Sequence, residues 1–482
     1  MTTAISRFIE KCRYAHAHPV EGGYRHALKL VVPMVLANSV LVVMQFTDRI
    51  LLSRYSSLSI QAAVPSGMLS FTLISFFSAI AGYSSTFVAQ YHGAKDAKSS
   101  VKSCVSGLWI ALACIPIFIA MIPFCDAILG SFGHAPELLE QERIYSFWMV
   151  LSGFLMTTHW VMGGYLTSRD RVLAGTLVSV AGCIVNIALD WVMIFGFGGF
   201  PAMGLRGAAI ATFASSVFGT LALLAMILPD IVKAGARDVL APDFSLIWRI
   251  IRFGIPSGLH TVFDAGSYSL FTLLTARLSP LELATSNIAF SINCLAISPL
   301  IGFGSAAGIL VGQFQGAGRG DLAKRSGWRC LHLAWIYMAA CAVLFICFPG
   351  ELLACFRSAD APYTVDQMLR LGRLLLLMMA GWGMFDTMNA VFIGALKGAG
   401  DTPFVMLTIS LLAWFFWIPA ELLALNVPPL AFHPRAFLGY FIIDAWVVQV
   451  IYLITLAFFF LVRWCRGRWM KIDLIDKEGA KA

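Results

Sequence analysis

Long apolar stretches alternate with short polar connections along the whole chain. Twelve stretches are about 20 residues or longer, and at about 1.5 Å per residue a helix of that length crosses a hydrocarbon core of roughly 30 Å. Uninterrupted stretches of this length are not typical of barrel strands, so we predict membrane-spanning α-helices. The predicted spans are 27–54, 61–92, 101–123, 143–168, 171–196, 206–229, 246–277, 282–315, 324–349, 367–397, 403–425 and 435–463.

The composition supports the same interpretation. Hydrophobic residues make up 59% and charged residues 12% of the 482 positions, whereas soluble domains carry about 25% charged residues. The net charge of +8 could indicate a nucleic-acid partner, but the basic residues lie in short connections, so we expect the lipid bilayer as partner and no nucleic acid. The 11 cysteines show no CxxC spacing, which favours small buried hydrophobes over disulfides or a metal site.

Basic residues mark every second connection between the apolar stretches. Lys and Arg cluster after the second, fourth, sixth, eighth and twelfth stretches, whereas acidic residues predominate after the third. By the positive-inside rule, the basic connections and both termini are expected on the cytoplasmic side of the inner or plasma membrane. The N-terminal segment is too polar for a cleaved signal peptide, and no connection is long enough for a soluble catalytic domain.

The sequence contains an internal repeat. Pro33 matches Pro256, and Gln-Tyr-His-Gly-Ala at 90–94 matches Gln-Phe-Gln-Gly-Ala at 313–317, at one offset of 223 positions (256 − 33; 313 − 90). Six spans per repeat place both halves in the membrane in the same orientation, related by a pseudo-two-fold axis along the membrane normal. We predict a cytoplasmic N-terminal segment (1–26), a first six-helix bundle (27–229), a cytoplasmic linker (230–245), a second six-helix bundle (246–464) and a cytoplasmic tail (465–482).

Several carboxylates fall within the predicted spans. A central Asp costs about 2.5 to 3.5 kcal/mol on insertion scales, so each needs a partner or a function. Asp48 and Asp190 belong to the first half, Asp264 and Asp386 to the second, and Asn186 lies one helical turn before Asp190. We predict that they form polar stripes facing a cavity. A surface ion pair for Asp48, and structural hydrogen bonds for the other three, remain alternatives.

Other polar and aromatic residues share these helix faces. Candidates for a substrate cleft at helical spacing from the carboxylates are Gln45, His260, Trp382 and Asn389. A Trp face attracts flat cations, although aromatic packing is the alternative. For Glu421 and Asp444, which also fall within spans, structural or interfacial roles are the favoured interpretation.

Two prolines are candidate hinges. Pro33 and Pro256 are predicted to begin the first helix of each half, and each removes a backbone hydrogen bond where the helix could bend. Our hypothesis is that protonation of Asp48 alters the bend at Pro33.

Five segments stand out by their order and spacing: 33–48, 90–94, 186–196, 204–212 and 396–402. Together they resemble the multidrug and toxic compound extrusion (MATE) transporters, and the resemblance covers essentially the whole chain. The chain looks most like the NorM-type branch. This resemblance implies an all-α, V-shaped fold of twelve helices in two bundles.

The resemblance also implies functional residues. Asp386 matches the span-ten aspartate of the branch, and Asp264 stands where the branch usually has a glutamate. Asp48 and Asp190, with Asn186 beside them, match the acidic pair of the first bundle. The implied protein is an antiporter, not an enzyme, that exchanges H+ or Na+ for cationic or amphipathic drug-like compounds, with these five residues coupling to the ion. A Na+ site at Asp264 and Asp386 is one option; we expect a monomer and no other cofactor.

Two other functions remain open from the sequence. A lipid-linked oligosaccharide flippase of the same superfamily would be expected to have a strongly basic cleft, and here the intramembrane charges are mostly acidic. An integral-membrane enzyme would be marked by paired His and Asp clusters at an interface, and we find none in the sequence pattern. Neither the coupling ion nor the substrate follows from the sequence.

Overall fold

The computed structural model describes residues 23–275, 277–354, 364–427 and 439–475. The regular structure of these residues is helical, which confirms the all-α prediction. The first half contains nine helices in the described ranges: α1 (Tyr24–Tyr55), α2 (Ser57–Gly82), α3 (Ser84–Gly93), α4 (Ala97–Ala113), α5 (Ile115–Ser131), α6 (Pro136–Leu151), α7 (Gly153–Ser168), α8 (Val172–Phe195) and α9 (Leu205–Lys233).

A short helix, α10 (Ala236–Leu240), lies in the connection between the halves. A π-helical turn spans Ala413–Trp417, and a 3₁₀ turn spans Arg468–Lys471. The helices of the second half are α11 (Phe244–Thr275), α12 (Pro280–Gly316), α13 (Gly320–Cys347), α14 (Pro349–Ala354), α15 (Val365–Gly398), α16 (Thr402–Leu412), α17 (Ile418–Ala424) and α18 (Phe441–Arg466).

Ten helical stretches in the described ranges are long and apolar enough to cross a membrane. The two predicted spans outside that group, 143–168 and 246–277, are helical as well and correspond to α6 with α7 and to α11. They carry charged residues, among them Arg143 and Asp264. Each of the twelve predicted spans therefore corresponds to a helix, with the start of the last one, 435–438, outside the described residues.

The prolines do not end or begin helices as predicted. Pro33 and Pro256 were expected at helix starts, but they lie inside α1 and α11, which begin at Tyr24 and Phe244. Likewise, the third span was expected to end at Pro123, which lies inside α5. Prolines are tolerated within membrane helices because neighbouring helices and local adjustments satisfy the freed backbone groups.

Glycines allow the backbones of α12 and α15 to touch in the second half. A Cβ placed on Gly394 would lie 2.0 Å from the carbonyl oxygen of Gly304, and one on Gly398 would lie 2.0 Å from that of Gly308. Such small-xxx-small spacing is the usual means of close helix packing in membranes, where burial of apolar surface adds no driving force. The α12–α15 pair is thereby the closest-packed centre of the second half.

The two halves touch at one end of the molecule. We call the end at which α3 and α12 finish, at Gly93 and Gly316, the basic-loop face. Helix α1 packs on α12, and α2 packs on α11. The helices of each pair approach closely at Gly302 and Val35 and at Gly258 and Phe76. These positions lie in the parts of the helices nearer the basic-loop face. The resulting two-lobed shape matches the predicted pair of bundles.

The segment after α18 crosses the basic-loop face. Its Leu474 and Ile475 are buried in the apolar core of the first half. The Gln315 amide donates to the Ile472 carbonyl (2.9 Å), and the Arg249 guanidinium donates to the Leu474 carbonyl. This part of the predicted tail is therefore a strap that ties the two halves together.

Candidate functional site

A cavity of about 1010 Å³ separates the two halves, and we call it the central cavity. Its walls come from α1, α2, α3 and α7 of the first half and from α11, α12, α15 and α18 of the second. Asp264 on α11 is exposed to the cavity, and Asp386 on α15 lines it and is half-buried. The volume is at the upper end of the range for small-molecule sites, about 300–1000 Å³.

Aromatic rings form one wall of the central cavity. Trp417, at the end of the π-helical turn, stacks on Tyr452 with ring centroids 5.0 Å apart and planes 12° apart. Trp382 packs against Trp446 at 5.0 Å. All four rings line the cavity. Single π-helical turns are frequent at functional sites. The four rings are buried and packed on one another, so they form an apolar wall rather than free ring faces.

Lys397 and His260 meet at the basic-loop end of the central cavity. The Lys397 ammonium lies 3.1 Å from Nδ1 of His260. Because an ammonium can only donate, His260 accepts through Nδ1 and carries its proton on Nε2. The Tyr83 hydroxyl donates to the backbone carbonyl of Lys397 at 2.8 Å and holds the end of α15 in place. The cavity thus contains both signs of charge.

A second polar cluster lies inside the first half. Asp48 on α1 adjoins Asp190 on α8, and Asn186 lies one turn before Asp190. Asn186 and Asp190 are fully buried. Five of their side-chain atoms have no hydrogen-bond partner among the described residues when both acids are ionised: Asp48 Oδ1 and both polar atoms of Asn186 and of Asp190. When one acid is protonated, Asp48 and Asp190 can hydrogen-bond to each other. Buried carboxylate and amide oxygens without partners are costly, and they are suitable ligands for a proton or a hard cation.

Some of the remaining candidate site residues line the central cavity, and others do not. His260, Trp382 and Asn389 line the central cavity, and Asn389 donates its amide to the Leu453 carbonyl at 3.1 Å. Gln45 is exposed on α1 and is not among the lining residues. Pro33 and Pro256 each directly precede a lining residue, Met34 and Ser257.

The first-half cluster and two further acids are also not among the lining residues of the central cavity. Glu421 accepts a hydrogen bond from the Trp417 indole at 2.9 Å, and Asp444 is buried near the start of α18. The structure therefore brings the predicted carboxylates together as two separate pairs, Asp48 with Asp190 and Asp264 with Asp386, one in each half.

Among the cavity residues that sequence reasoning missed are Lys397, Gln449 and Tyr452. Lys397 lies eleven residues after Asp386. Eleven residues are close to three helical turns, so both side chains lie on one face of α15. That spacing could have identified Lys397 from the sequence. No comparable spacing marked Gln449 and Tyr452, because α18 is apolar around most of its circumference.

The repeated pentapeptide closes the basic-loop face. A Cβ on Gly93 would lie 1.8 Å from the Gln313 carbonyl oxygen, and one on Gly316 would lie 1.9 Å from that of Gln90. We call this reciprocal contact the glycine clasp. The side chains of the same two glutamines also cross between halves, Gln90 to the Gly398 carbonyl (3.1 Å) and Gln313 to the Ser168 carbonyl (3.0 Å).

An ionic contact lies beside the glycine clasp. The amide of Gln313 donates to Asp170 at 3.1 Å, and His92 Nε2 lies 3.6 Å from the other carboxylate oxygen. Burial alone would raise the pKa of Asp170, but the hydrogen bonds from His92 and Gln313 outweigh it and lower that pKa below its usual value. Asp170 therefore stays ionised and ties the connection after α7 to the second half.

Comparisons with known proteins agree with this architecture. The family model described as MatE matches residues 33–192 and 256–421, which together cover more than half of the chain. The two matches begin at the repeat-related prolines.

Relatives of similar length carry a transport name. A probable multidrug resistance protein NorM of Mesorhizobium japonicum is 26% identical over 92% of this chain and 93% of its own length. The protein of the same name from Pseudomonas aeruginosa is 26% identical over 81% of each chain.

Solved structures share the fold. One is described as the outward-facing conformation of a multidrug resistance MATE family transporter of the MOP superfamily (TM-score 0.82, 19% identity, 93% of this chain and 97% of that one). Another is a MOP superfamily transporter from Pyrococcus furiosus, for which a reverse polarity of the binding pocket is described (TM-score 0.81, 20% identity, 93% and 97%).

A two-lobed helical membrane protein with a cavity between its lobes is the architecture of a multi-pass membrane transporter. The chain belongs to the MatE family, the multidrug and toxic compound extrusion transporters. The family predicted from the sequence is thereby confirmed, and proteins named NorM are among the relatives that the chain resembles.

Proposed function

We propose that the protein is a secondary active antiporter that exports drug-like organic cations in exchange for H+ or Na+ by alternating access. The observation that carries this proposal is the central cavity, where Asp264 and Asp386 face the same space as an aromatic wall. Carboxylates attract a cation by charge, and the apolar wall favours burial of the hydrophobic part of an organic cation. Because the basic-loop face is closed, we assign access to this cavity to the other side of the membrane.

Ion coupling is assigned to both carboxylate pairs. Asp48, Asn186 and Asp190 form an enclosed set of oxygen ligands, and Asp264 and Asp386 form a second set, which is also our candidate Na+ site. Binding of a proton or Na+ changes the charge held at bilayer depth, and it shifts the conformational equilibrium by the difference in its affinity for the two states. Entry of one charge down 100 mV supplies about 2.3 kcal/mol.

The orientation follows from the charge of the connections. We assign the basic-loop face and both termini to the cytoplasm, in the inner or plasma membrane. The state described here is then outward-open. One chain supplies both walls of the central cavity, which supports a monomer as the transporting unit.

The test is dye transport in proteoliposomes with proton and sodium gradients imposed separately. We expect ethidium to accumulate against its gradient when one of the two ion gradients is present, and the accumulation to collapse when a protonophore or a sodium ionophore dissipates it. Protein-free liposomes are the control. Movement of ethidium that only equilibrates and is indifferent to both gradients would show a facilitator and contradict antiport.

A further inference from the structure

We propose that the start of α1 and the first turns of α13 together form a binding site for the headgroup of an anionic phospholipid. The site, which we call the interfacial basic site, consists of Tyr24, Arg25 and Lys29 on α1 and of Arg325, Arg329 and His332 on α13. The inference goes beyond the proposed function and does not depend on it, because it concerns a lipid bound on the outside of the protein rather than the cargo or the coupling ion.

Both parts of the interfacial basic site lie where their helices enter the apolar part of the membrane. No charged residue occurs between Lys29 and Asp48 on α1, and none occurs between His332 and Glu351 after the charged part of α13. Both helices are long and apolar enough to cross a membrane. The last basic side chains before such a stretch lie at the level of the lipid headgroups, where the phosphates are.

Side-chain contacts bring the two helices together at this level. The Tyr24 hydroxyl lies 2.9 Å from Nδ1 of His332, within hydrogen-bond distance, and the two rings stack with centroids 6.3 Å apart. The Arg329 guanidinium lies over the Tyr24 ring, 5.8 Å from its centroid. Helix α1 belongs to the first half and α13 to the second, so the site spans both halves. A site assembled before its ligand arrives loses less entropy on binding.

The basic side chains of the site form one positive surface. Arg325, Arg329 and His332 follow one another at intervals of four and three residues, so they share one face of α13. Arg25 and Lys29 are one turn apart on α1, and both are exposed. Basic clusters of this kind between membrane helices attract negatively charged lipid headgroups.

Acidic residues are absent from the sequence around the site. No Asp or Glu occurs at 23–36 or at 322–350. Along the two helices the nearest acid is Asp321, which lies one turn before Arg325, at the end of α13 that points away from the membrane. The positive charge at the membrane surface is therefore not balanced within these two segments, and an anionic headgroup supplies the complementary charge.

An apolar strip continues from the interfacial basic site into the membrane. Exposed apolar side chains follow the site at helical spacing: Leu28, Val32 and Leu36 after Tyr24 on α1, and Ile336 after His332 on α13. The acyl chains of a lipid held by its headgroup would run along this strip. A basic site above an apolar strip fits a phospholipid better than a free phosphate, which has no apolar part to bury.

The competing role for these basic residues is to fix the orientation of the chain in the membrane. For that role the number of positive charges on the cytoplasmic side matters, and their arrangement does not. Lipid binding at a defined site depends on position instead. Removal of two charges at the site should therefore weaken lipid binding, whereas removal of two charges elsewhere on the basic-loop face should not.

The experiment measures lipid binding to the purified full-length protein by native mass spectrometry in an uncharged detergent. Phosphatidylglycerol is the anionic probe, and phosphatidylcholine, whose headgroup carries a compensating positive charge, is its neutral counterpart. We expect the wild-type protein to bind the first phosphatidylglycerol with a Kd about tenfold lower than that for phosphatidylcholine. In the double variant Arg325→Gln with Arg329→Gln, the Kd for phosphatidylglycerol should rise about tenfold or more, and that for phosphatidylcholine should stay within about twofold.

The matched control is the double variant Lys233→Gln with Arg237→Gln. Both residues are exposed, at the end of α9 and in α10, and their replacement removes the same charge away from the site. This variant should bind both lipids as the wild-type protein does. Weakening of phosphatidylglycerol binding as large as that of the site variant would overturn the proposal and leave only a general effect of charge.

The comparison of the two lipids on the wild-type protein needs no variant, so the proposal stays testable if the site variant does not fold. Equal affinities for the two lipids overturn it, and so does an unchanged Kd for phosphatidylglycerol in the site variant. Glycerol 3-phosphate is the probe for a free phosphate, and its displacement of phosphatidylglycerol at equal concentration would overturn the assignment to a lipid. The readout contains no transport step, so failure of the site leaves the proposed antiport unaffected.

Discussion

The two halves of the chain are alike in packing and different in chemistry. At the basic-loop face, Gly93 and Gly316 make the same backbone contact in mirrored roles. Towards the middle of the membrane the likeness ends. In the first half Asp190 is buried, Asp48 is half-buried and neither lines the central cavity, whereas Asp264 and Asp386 of the second half line it. The two halves thus share the glycine contacts that close the basic-loop face, whereas their carboxylate pairs lie in different surroundings.

This difference suggests a division of labour. A carboxylate pair outside the lining of the cavity is suited to a small ion, and a pair facing about 1010 Å³ beside aromatic rings is suited to an organic cargo. Asp264 and Asp386 would then serve both cargo and ion, with Asp48 and Asp190 serving the ion. Three predictions test this comparison.

The largest effect is expected in the first half. The double variant Asp48→Asn with Asp190→Asn should lose gradient-driven accumulation of rhodamine 123 in proteoliposomes, which at 100 mV amounts to about 2.3 kcal/mol or roughly 50-fold per charge. Binding of the dye in detergent should stay within about twofold, because the cluster does not line the cavity. Glu140→Gln, an exposed carboxylate on α6, is the control with normal accumulation. Loss of dye binding in the double variant would contradict the assignment of separate roles to the two carboxylate pairs.

A smaller effect, on dye binding rather than on dye accumulation, is expected in the second half. Asp264→Asn and Asp386→Asn should each weaken rhodamine 123 binding in detergent by about tenfold, equivalent to about 1.4 kcal/mol, because each removes a negative charge facing the cargo. Anisotropy titrations at low salt give the Kd values. The comparison between halves fails if these variants bind the dye normally.

The smallest effect is expected at the connection between the halves. Asp243 accepts a hydrogen bond from Lys102 at 2.8 Å, which lowers its pKa, and it also caps α11 through the Leu246 amide at 3.0 Å. Asp243→Ala should lower the stability by about 1 kcal/mol at pH 7, as for loss of an N-cap, seen as a lower Tm in detergent.

The pH dependence of that loss has a definite sign. Because folding lowers the pKa of Asp243, its stabilisation is present above the unfolded-state value of about 3.9 and disappears as the pH falls through the lower folded-state value. The Tm difference between Asp243→Ala and wild type should therefore shrink below about pH 4. Asp238→Ala, at a fully exposed pair with Lys98, is the control without a measurable change. A Tm difference that grows in acid would contradict the assignment.

Most of the fold could be predicted because span length and the internal repeat are direct physical signals. Apolar stretches long enough to cross a bilayer must form helices, and the repeat fixes two similar bundles. The helix boundaries at prolines could not be predicted the same way. In soluble proteins Pro33 would indicate a helix start and Pro123 a helix end, but here the helices continue through both prolines.

The carboxylates of the site were predicted because a buried charge costs free energy, and His260, Trp382 and Asn389 were predicted from their spacing on the same helix faces. Asp264 and Asp386 were found from that cost, and the structure gives them a common cavity. Lys397 was noticed as part of a sequence signature rather than as a side chain, so its pairing with His260 was missed. The strap was missed because it follows the last span, although the apolar pair Leu474 and Ile475 in a polar segment was a usable signal.

The glycine clasp has a consequence for how the transporter is driven. Its contacting atoms are main-chain carbonyls and bare α-carbons, which neither acid nor salt can titrate or screen. The contact between the halves at the glycine clasp therefore does not depend on pH or ionic strength. In the proposed antiport, an ion bound at Asp48 or Asp264 would therefore have to separate the glycine clasp indirectly, by shifting the conformational equilibrium of the halves.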